Sequence, residues 1–350
     1  MRFIIGCDFH PGHQSIAMLD QKTGEVLRKE LSHGSLEEVK KFYASLPEPA
    51  EVGIEASGQT QWFERMLEEL GHQVHLGDAA KIRAAEPRKQ KYDRRDAELV
   101  LRLQLRGQFP EIWVPSPEER DLRQMLLHRA KLVRLRTQVK NQLQALALNQ
   151  GLQWKRKLWT TAGRAQLQAL PLLPWATRRR AELLRLLDQL EVPIADLDEA
   201  VQQQAQGRAE ARRLMTHPGV GPVTSLGFVL TIGPVERFPS SKQVSSYLGL
   251  IPSEASSGAR RQRLGHISKQ GNSFMRGVLV EAAQSAVRCE PQLRRAYRRL
   301  AQRKNRAVAK VAIARKLAVR LYWMLRGNMD YAQLLQGSHA GAPESSCGRS

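Results

Sequence analysis

The segments FIIGCD, at residues 3–8, and VGIE, at residues 52–55, are short apolar runs that each end in a carboxylate. Runs of this length that are rich in β-branched residues predict buried strands. A charge at the end of a buried strand is costly unless a partner neutralises it. We therefore treat Asp8 and Glu55 as candidate site residues that meet at one edge of a sheet.

A second acidic pair lies in the segment KYDRRDA at residues 91–97, where Asp93 and Asp96 stand three positions apart. Residues at this spacing lie near each other on a helix, and the pattern predicts a helix over Asp93–Leu105. Carboxylate oxygens are the ligands that Mg²⁺ prefers, and two-metal sites for phosphoryl transfer are built from them. Asp8, Glu55, Asp93 and Asp96 thus form a candidate magnesium site that acts on phosphates.

Strands and helices alternate through the first 110 residues. Strands are predicted at 3–8, 15–19, 25–31, 51–55 and 73–76, and helices at 36–46, 59–70 and 93–105. A meander of three strands followed by helix, strand, helix and strand is the order of an α/β RNase H-like domain. In that fold the acidic residues gather where the central strands end. We assign residues 1–110 to this domain.

Two long helical stretches follow in a linker at residues 111–210. Residues 118–150 contain no Gly or Pro, and their apolar residues recur at helical spacing. The second stretch, 178–206, contains Pro193, which we expect to kink or divide the helix. The pair forms either an antiparallel hairpin within one chain or the coiled-coil arm of a dimer.

The charge is unevenly distributed. Residues 1–110 hold 16 Lys and Arg against 17 Asp and Glu, whereas residues 111–350 hold 39 against 17. Such a basic region favours a polyanion partner, and we expect nucleic acid, DNA above all, rather than a membrane surface. We expect neither a secretory leader nor a lipid anchor, and no apolar stretch approaches the roughly 18 residues that span a bilayer. Three scattered cysteines argue against disulfides and zinc sites, so we expect a cytoplasmic, nucleoid-associated protein.

The C-terminal region, residues 211–335, is predicted to be mainly α-helical, apart from an irregular stretch over 249–272 and before a disordered tail at 336–350. The segment HPGVGPVTS at residues 217–225 is similar to the turn of a helix-hairpin-helix element. Gly219 and Gly221 would let the backbone approach a phosphate there. An ordinary tight turn is the alternative.

A serine-containing loop, GLIPSEASSG at residues 249–258, is followed by closely spaced cations. These cations are Arg260, Arg261, Arg263, Lys269 and Arg276. They could hold a scissile phosphate and lower the cost of ionising a serine hydroxyl. A further basic cluster is expected to contact the nucleic-acid backbone. It comprises Arg294, Arg295, Arg298, Arg299, Arg303, Lys304 and Arg306.

The ordered set of these motifs resembles the DEDD transposases of insertion-sequence family one-ten. The matching segments are GCD at 6–8, EASG at 55–58, KYDRRDA at 91–97, PGVGP at 218–222, YLGLIP at 247–252, SG at 257–258 and ISKQGN at 267–272. The resemblance covers residues 3–325 in the right order. Each motif alone is weak, but the ordered set is specific.

The resemblance implies a RuvC-like N-terminal domain, a coiled-coil linker and a C-terminal transposase domain. It implies a DNA recombinase that a structured bridge RNA guides, with Mg²⁺ held by Asp8, Glu55, Asp93 and Asp96. Ser257 would be the nucleophile that forms a phosphoserine link to DNA, although the residues alone do not separate it from Ser256. Family members act as dimers that pair into tetramers, in which a partner's serine completes the RuvC-like site.

Three other functions account for parts of this sequence. A RuvC-type nuclease or junction resolvase would use water as the nucleophile and the serine loop only to bind phosphate. An actin-like sugar kinase would need a second α/β half, which residues 111–350 do not provide. A noncatalytic nucleic-acid-binding module would account for the basic charge but leave the four carboxylates unexplained.

Overall fold

The computed structural model describes residues 2–86, 93–153, 157–254 and 264–339. The chain forms two compact units, Met1–Val114 and Pro115–Ser350. Among the described residues, no helix combines the length and the apolar character needed to cross a membrane.

The first unit is built on a five-stranded sheet. Its strands are β1 (Phe3–Phe9), β2 (His13–Asp20), β3 (Val26–Ser32), β4 (Ala50–Glu55) and β5 (Gln73–Gly77). The order across the sheet is β3-β2-β1-β4-β5. The first three strands form an antiparallel meander, and β4 and β5 run parallel to β1. Every residue of β1 is buried, as expected for a central strand covered on both faces.

Helices cover both faces of the sheet. They are α1 (Leu36–Ala44), α2 (Gln61–Glu69), α3 (Ala79–Ala85) and α4 (Asp93–Leu105). Tyr43 of α1 and Phe63 of α2 are fully buried on one face, where they join a core that includes Ile5. Ala97 and Leu101 of α4 pack on the other face. The predicted mixed α/β architecture is confirmed for this unit.

The linker helices are α5 (Pro117–Asn149) and α7 (Pro174–Gly207), and they pack against each other within the chain. Arg129 pairs with Asp198 at 2.5 Å, and Arg136 pairs with Glu191 at 3.1 Å. Residue numbers rise along α5 as they fall along α7, so the two helices are antiparallel. Leu143 lies fully buried in the core between them.

Of the two outcomes expected at Pro193, a kink or a division of the second linker helix, the division does not occur, because α7 continues through this residue. Leu190 and Ile194, on either side of this proline, are both buried in the core shared with α5. The burial of these side chains offsets the hydrogen bond that the proline removes.

The rest of the second unit is mainly helical, as predicted. Its remaining helices are α6 (Thr161–Ala169), α8 (Ala209–Met215), α9 (Pro222–Ile232), α10 (Ser241–Tyr247), α11 (Ser273–Cys289), α12 (Pro291–Arg303), α13 (Arg306–Arg326) and α14 (Tyr331–His339). Short 3-10 helices occupy Lys157–Trp159 and Val235–Arg237. The largest core of the unit contains Phe228, Leu279 and Leu317, all without solvent exposure.

Two expectations for this unit need correction. The stretch over 249–272 is not wholly irregular, because β6 (Pro252–Glu254) and β7 (Leu264–Ile267) form an antiparallel pair. Strands of three and four residues are too short to show an alternating pattern in the sequence. The tail expected to be disordered from residue 336 begins as helix, since α14 reaches His339 and Leu334 packs against the core.

Candidate active site and nucleic-acid surface

Two glycines allow α4 to lie close to the sheet. Gly6 of β1 and Gly53 of β4 stand opposite each other in the parallel register. A Cβ atom at position 6 would lie 2.2 Å from the carbonyl oxygen of Ala97, and one at position 53 would lie 2.6 Å from the Gln104 side chain. A larger residue at position 6 would meet the backbone of α4 and force the helix away from the strands, whereas one at position 53 would require the Gln104 side chain to move.

The two strand-end carboxylates lie on the face of the sheet that α4 covers. Alternation along a strand places Asp8 on the face of Gly6, and Glu55 on the face of Gly53. The last registered pair of these strands is Cys7 and Ile54, so the two acids occupy the next position on neighbouring strands. Neighbouring strands are roughly 4.8 Å apart. The structure therefore places Asp8 and Glu55 at adjacent positions on neighbouring strands, and their joint role in a metal site stays a prediction.

Asp8 is nearly buried, with 9% of its surface exposed, and His10 lies against it. The Nε2 atom of His10 is 3.1 Å from Oδ2 of Asp8, and its ring centroid is 5.0 Å from that of His13. The sequence interpretation missed His10. Its position two residues after Asp8 was the available signal, because residues at this spacing share a face at a strand end.

Glu55 is half-buried and faces a cation from α3. The Nη2 atom of Arg83 donates a hydrogen bond to Oε1 of Glu55 at 3.3 Å. Arg83 also donates from Nε to the carbonyl of Ala79, which fixes the direction of its side chain. This contact was missed because α3 itself was not predicted.

The start of α4 lies toward the same end of the sheet. Ile4 clusters with Leu101, and Gly6 touches Ala97, so moving along β1 toward Asp8 leads to the first turn of α4. That turn begins at Asp93, whose side chain lies outside the described part of the structure, and it contains the half-buried Asp96.

The described side chains alone do not complete a metal site. Among them, no three His, Cys, Asp or Glu residues come close enough together to hold an ion. Asp8 and Glu55 supply two neighbouring carboxylates, and the predicted contribution of Asp93 falls outside the described atoms. The four-carboxylate site remains a prediction. The structure gives the relative positions of only two of its members, Asp8 and Glu55.

The turn before α9 shows two glycines with different surroundings. Gly219 has φ of 85°, and a Cβ atom there would lie 2.3 Å from the backbone nitrogen of Ala286 in α11. The α-carbon of Gly219 thus lies close to α11. Gly221 caps the N-terminus of α9, and no atom stands within 4 Å of the place where its Cβ would be. Phosphate contact stays a prediction at both glycines.

The predicted serine loop is described only at its base. Ser256, Ser257, Arg260, Arg261 and Arg263 lie outside the described residues. The loop joins β6 to β7. The Oγ atom of Ser253 in β6 donates a hydrogen bond to the carbonyl of His266 in β7 at 2.9 Å, which links the two strands. Lys269, just after β7, is exposed and has φ of 56°. Arg276 donates to the carbonyl of Leu248 at 3.3 Å and so supports the base of the loop.

The predicted basic cluster on α12 divides into two kinds of residue. Arg294 donates from Nε to the carbonyl of Val287 at 3.1 Å, so it caps the end of α11. Arg295, Arg298 and Arg299 are exposed and make no ion pair with any described residue. These three side chains remain available for phosphate contacts.

Two family models match the chain. The model of DEDD-type IS110 transposases matches residues 5–150, and a model described as transposase IS116/IS110/IS902 family matches residues 211–298. The first match contains Asp8, Glu55, Asp93 and Asp96, and the second contains the serine loop and Arg295.

Curated relatives match over nearly the whole length. A probable family 20 transposase of Pseudomonas aeruginosa is 32% identical over 335 residues, which cover 92% of this chain and 96% of that protein. The transposase for insertion sequence element IS1328 of Yersinia enterocolitica is 28% identical over 339 residues, with the same two shares. The chain therefore belongs to the IS110/IS116/IS902 family of insertion-sequence transposases.

Proposed function

We propose that this transposase is a Mg²⁺-dependent DNA recombinase with a RuvC-like catalytic domain and a serine nucleophile. The observation that carries the proposal is the placement of Asp8 and Glu55 on neighbouring strand ends, beside the first turn of α4. The strand order β3-β2-β1-β4-β5, an antiparallel meander extended by two parallel strands, supports the RNase H-like assignment.

The donor set fits a hard divalent cation. Asp8 and Glu55 offer carboxylate oxygens, which Mg²⁺ prefers, and Asp93 and Asp96 would add two more carboxylates from α4. In this structure the Nε2 atom of His10 lies 3.1 Å from Asp8, and Arg83 pairs with Glu55, so both strand-end acids already have polar partners. When bound, Mg²⁺ would supply a positive charge that polarises a phosphate and stabilises the negative charge of the transition state.

The serine proposal concerns Ser257 and rests on the family resemblance. Its Oγ atom attacks a DNA phosphorus, so that an Oγ–P bond forms as one P–O ester bond of the strand breaks. The Ser257 hydroxyl gives up its proton in this step, and the released strand end takes up a proton and leaves as a hydroxyl. Attack by another strand's hydroxyl on the phosphoserine reverses these changes and joins the strands in a new order. Arg260, Arg261, Arg263 and Lys269 would bind the phosphate throughout.

The guide and the assembly are proposed on the same basis. A bridge RNA would select the DNA, and two dimers would pair so that the serine of one subunit completes the acidic site of another. The basic second unit, with 39 Lys and Arg against 17 acidic residues over 111–350, suits two nucleic acids at once.

A trapping experiment with the full chain, its DNA and its RNA tests the chemistry. Wild-type protein should leave a covalent protein–DNA adduct that survives denaturation, and Ser257→Ala should abolish it. Ser256→Ala is the matched control and should retain it. Loss of the adduct in Ser256→Ala alone would move the nucleophile to Ser256. Cleaved DNA with free ends and no adduct in the wild type would instead favour hydrolysis by water.

Binding of Mg²⁺ can be measured without following the reaction. Calorimetric titration of the wild type with Mg²⁺ should show binding that Asp8→Asn weakens at least tenfold, since the substitution removes a charge but keeps the side-chain shape. Equal affinity in the two proteins would remove Asp8 from the metal site.

A further inference from the structure

A cleft of about 200 Å³ opens between α11, α12 and α13, in a part of the second unit to which the proposed reaction assigns no role. Ala283 of α11 and Ile313 of α13 form its floor and are almost fully buried. The half-buried Tyr297 of α12 lines one wall. The cleft is smaller than the roughly 300–1,000 Å³ that drug-sized ligands occupy, so it suits a single ring system.

The polar groups at this cleft are cationic or neutral. Arg288 and Lys310 line it together with the amide of Gln284. Neither cation makes an ion pair with a residue in the described part of the chain, and the Gln284 amide has no hydrogen-bond partner there. By contrast, a cleft between α5, α6 and α7 has its charges neutralised, since Lys140 pairs with Glu191 and Arg164 with Asp188. The cleft at Tyr297 is thus complementary to a ligand that brings its own negative charge.

Its surroundings indicate which anion this is. Tyr297 lies on the same helix as Arg295, Arg298 and Arg299, the three exposed arginines available to a phosphate backbone. Proteins that bind single strands combine a cationic track for the backbone with aromatic side chains against which bases stack. An apolar floor, an aromatic wall and an amide that can reach a base edge are also the parts of a pocket for an unstacked base.

We propose that this cleft binds one unstacked nucleotide of a single-stranded segment. The base contacts the Tyr297 ring over the apolar floor, Gln284 hydrogen-bonds its edge, and Arg288 and Lys310 neutralise the adjoining phosphates. The inference rests on the proposed function, because strand exchange requires unpaired DNA and the guide is RNA. The single strand can come from either source, and the two are separated by experiment.

The first test measures equilibrium binding of the full chain to short single-stranded oligonucleotides, as DNA and as RNA. One abasic position is moved along each oligonucleotide in turn. At one position, loss of the base should weaken wild-type binding roughly five- to 150-fold, the range expected for one stacked base. In Tyr297→Leu, which keeps apolar volume without a ring, the intact oligonucleotide should bind as weakly as the abasic one. Tyr297→Phe keeps the ring and should behave as the wild type does.

Two further experiments test the charge of the cleft and the contact between Tyr297 and the base. Lys310→Gln should weaken binding and lower its salt dependence, whereas Lys316→Gln, an exposed lysine of the same helix that does not line the cleft, should do neither. Photo-crosslinking with 5-iodouracil at the sensitive position should yield a peptide that contains Tyr297. The nucleic acid that shows these effects, DNA or RNA, is the occupant.

Several outcomes would overturn the inference. Uniform binding across all abasic positions, equal affinities of Tyr297→Leu and Tyr297→Phe, or crosslinks only at other peptides would each show that the cleft holds no base. These results would leave the proposed recombinase intact if the protein still forms its covalent DNA adduct. Failure to form the adduct while base-specific binding at Tyr297 persists would overturn the recombinase proposal instead.

Discussion

Gly6 determines how closely α4 packs on β1, although it has no functional group of its own. Because it has no side chain, α4 lies directly on β1, and the start of α4 comes near the end of the strand that carries Asp8. In Gly6→Ala, the added methyl group would lie 2.2 Å from the Ala97 carbonyl oxygen, which belongs to backbone and cannot rotate away. We expect a destabilisation of about 1–3 kcal/mol, measured by urea denaturation, together with weaker Mg²⁺ binding.

Gly12→Ala is the matched control for this prediction. No heavy atom stands within 4 Å of the place where a Cβ at position 12 would be, so stability and Mg²⁺ affinity should match the wild type. A Gly6→Ala protein that is as stable as Gly12→Ala would mean that α4 does not pack on Gly6 as described.

His217 shows a different residue-scale effect, the cost of burying a titratable ring. It is 1% exposed, its Nδ1 atom lies 2.9 Å from the carbonyl oxygen of Pro218, and its ring centroid is 4.4 Å from that of Tyr331. Its Nε2 atom is buried and has no hydrogen-bond partner among the described residues. Burial is the main cause that lowers the pKa of His217 from 6.5 to about 4, so the folded protein holds this ring neutral.

The free energy of unfolding should therefore fall as the pH drops from 6.5 to 4. In that window the unfolded chain binds a proton at residue 217 and the folded chain does not, so acid favours unfolding. The free energy of unfolding is unaffected by this ring well above pH 6.5, and it is reduced by about 3 kcal/mol near pH 4. Urea denaturation at several pH values should show a smaller acid loss in His217→Phe than in the wild type. His266→Phe, at an exposed histidine, should keep the full loss, and identical slopes in all three proteins would contradict the prediction.

At the scale of elements, sequence patterns predicted those that are long or buried on both faces. The apolar spacing over 118–150 gave α5, and the continuous apolar run at 3–8 gave β1. Short elements were not predicted. The helix α3 has only one buried apolar residue, Ile82, and it begins where the Asp78 carboxylate accepts hydrogen bonds from the backbone of Ala80 and Lys81. The strands β6 and β7 are likewise defined by their pairing with each other and not by any pattern of their own.

The same reasoning explains why Pro193 does not divide α7. Proline within a helix costs about 3 kcal/mol relative to alanine, and this cost reflects only the local backbone. The packing of Leu190 and Ile194 against α5 is a tertiary contribution that this cost does not include. Tertiary packing of an amphipathic face supplies most of the stability of a helix in a protein. The sequence shows where the proline lies, but it does not show that α5 packs against the helix on both sides of it.

The packing of α5 on α7 gives a prediction at this scale. Leu143 is fully buried between the two helices, whereas Leu135, on the same helix, is 48% exposed. Leu143→Ala should reduce the free energy of unfolding by about 2–5 kcal/mol, since it leaves a cavity. Leu135→Ala removes the same atoms from a solvent-facing position, and its effect should stay within about 0.5 kcal/mol in the single chain.

Comparison of these two variants also separates the alternatives for the linker. If Leu135→Ala destabilises the protein as much as Leu143→Ala, and does so only at high protein concentration, a second copy covers that face. A concentration-independent loss confined to Leu143→Ala would indicate that the helical pair is stabilised within one chain. Chemical denaturation at two protein concentrations distinguishes these outcomes.

For the whole molecule, one feature of the candidate site could be read from the sequence, namely the neighbouring positions of Asp8 and Glu55, whose role as metal ligands stays a prediction. Asp8 and Glu55 could be paired from two strand endings and a parallel register, because strand ends in a parallel sheet meet at one edge. Their partners His10 and Arg83 could not, since those contacts depend on a turn and on the unpredicted α3. The packing of Gly219 on α11 and the hydrogen bond from Arg294 to the Val287 carbonyl were also missed, because a glycine looks the same in sequence whether or not it packs on a helix.

The division of charge between a near-neutral first unit and a basic second unit leads to the last prediction. Exposed arginines that bind phosphates release counterions, so affinity for duplex DNA should fall steeply with salt concentration. Replacing Arg295, Arg298 and Arg299 by Gln should lower the steepness of log K against log salt by roughly 1 for each phosphate that the protein no longer neutralises. A control with the same charge change, Lys131, Arg134 and Arg179 to Gln, alters exposed positions on α5 and α7. If phosphates lie along α12, only the first variant flattens the salt dependence; equal flattening in both would mean that net charge, and not a surface on α12, governs DNA binding.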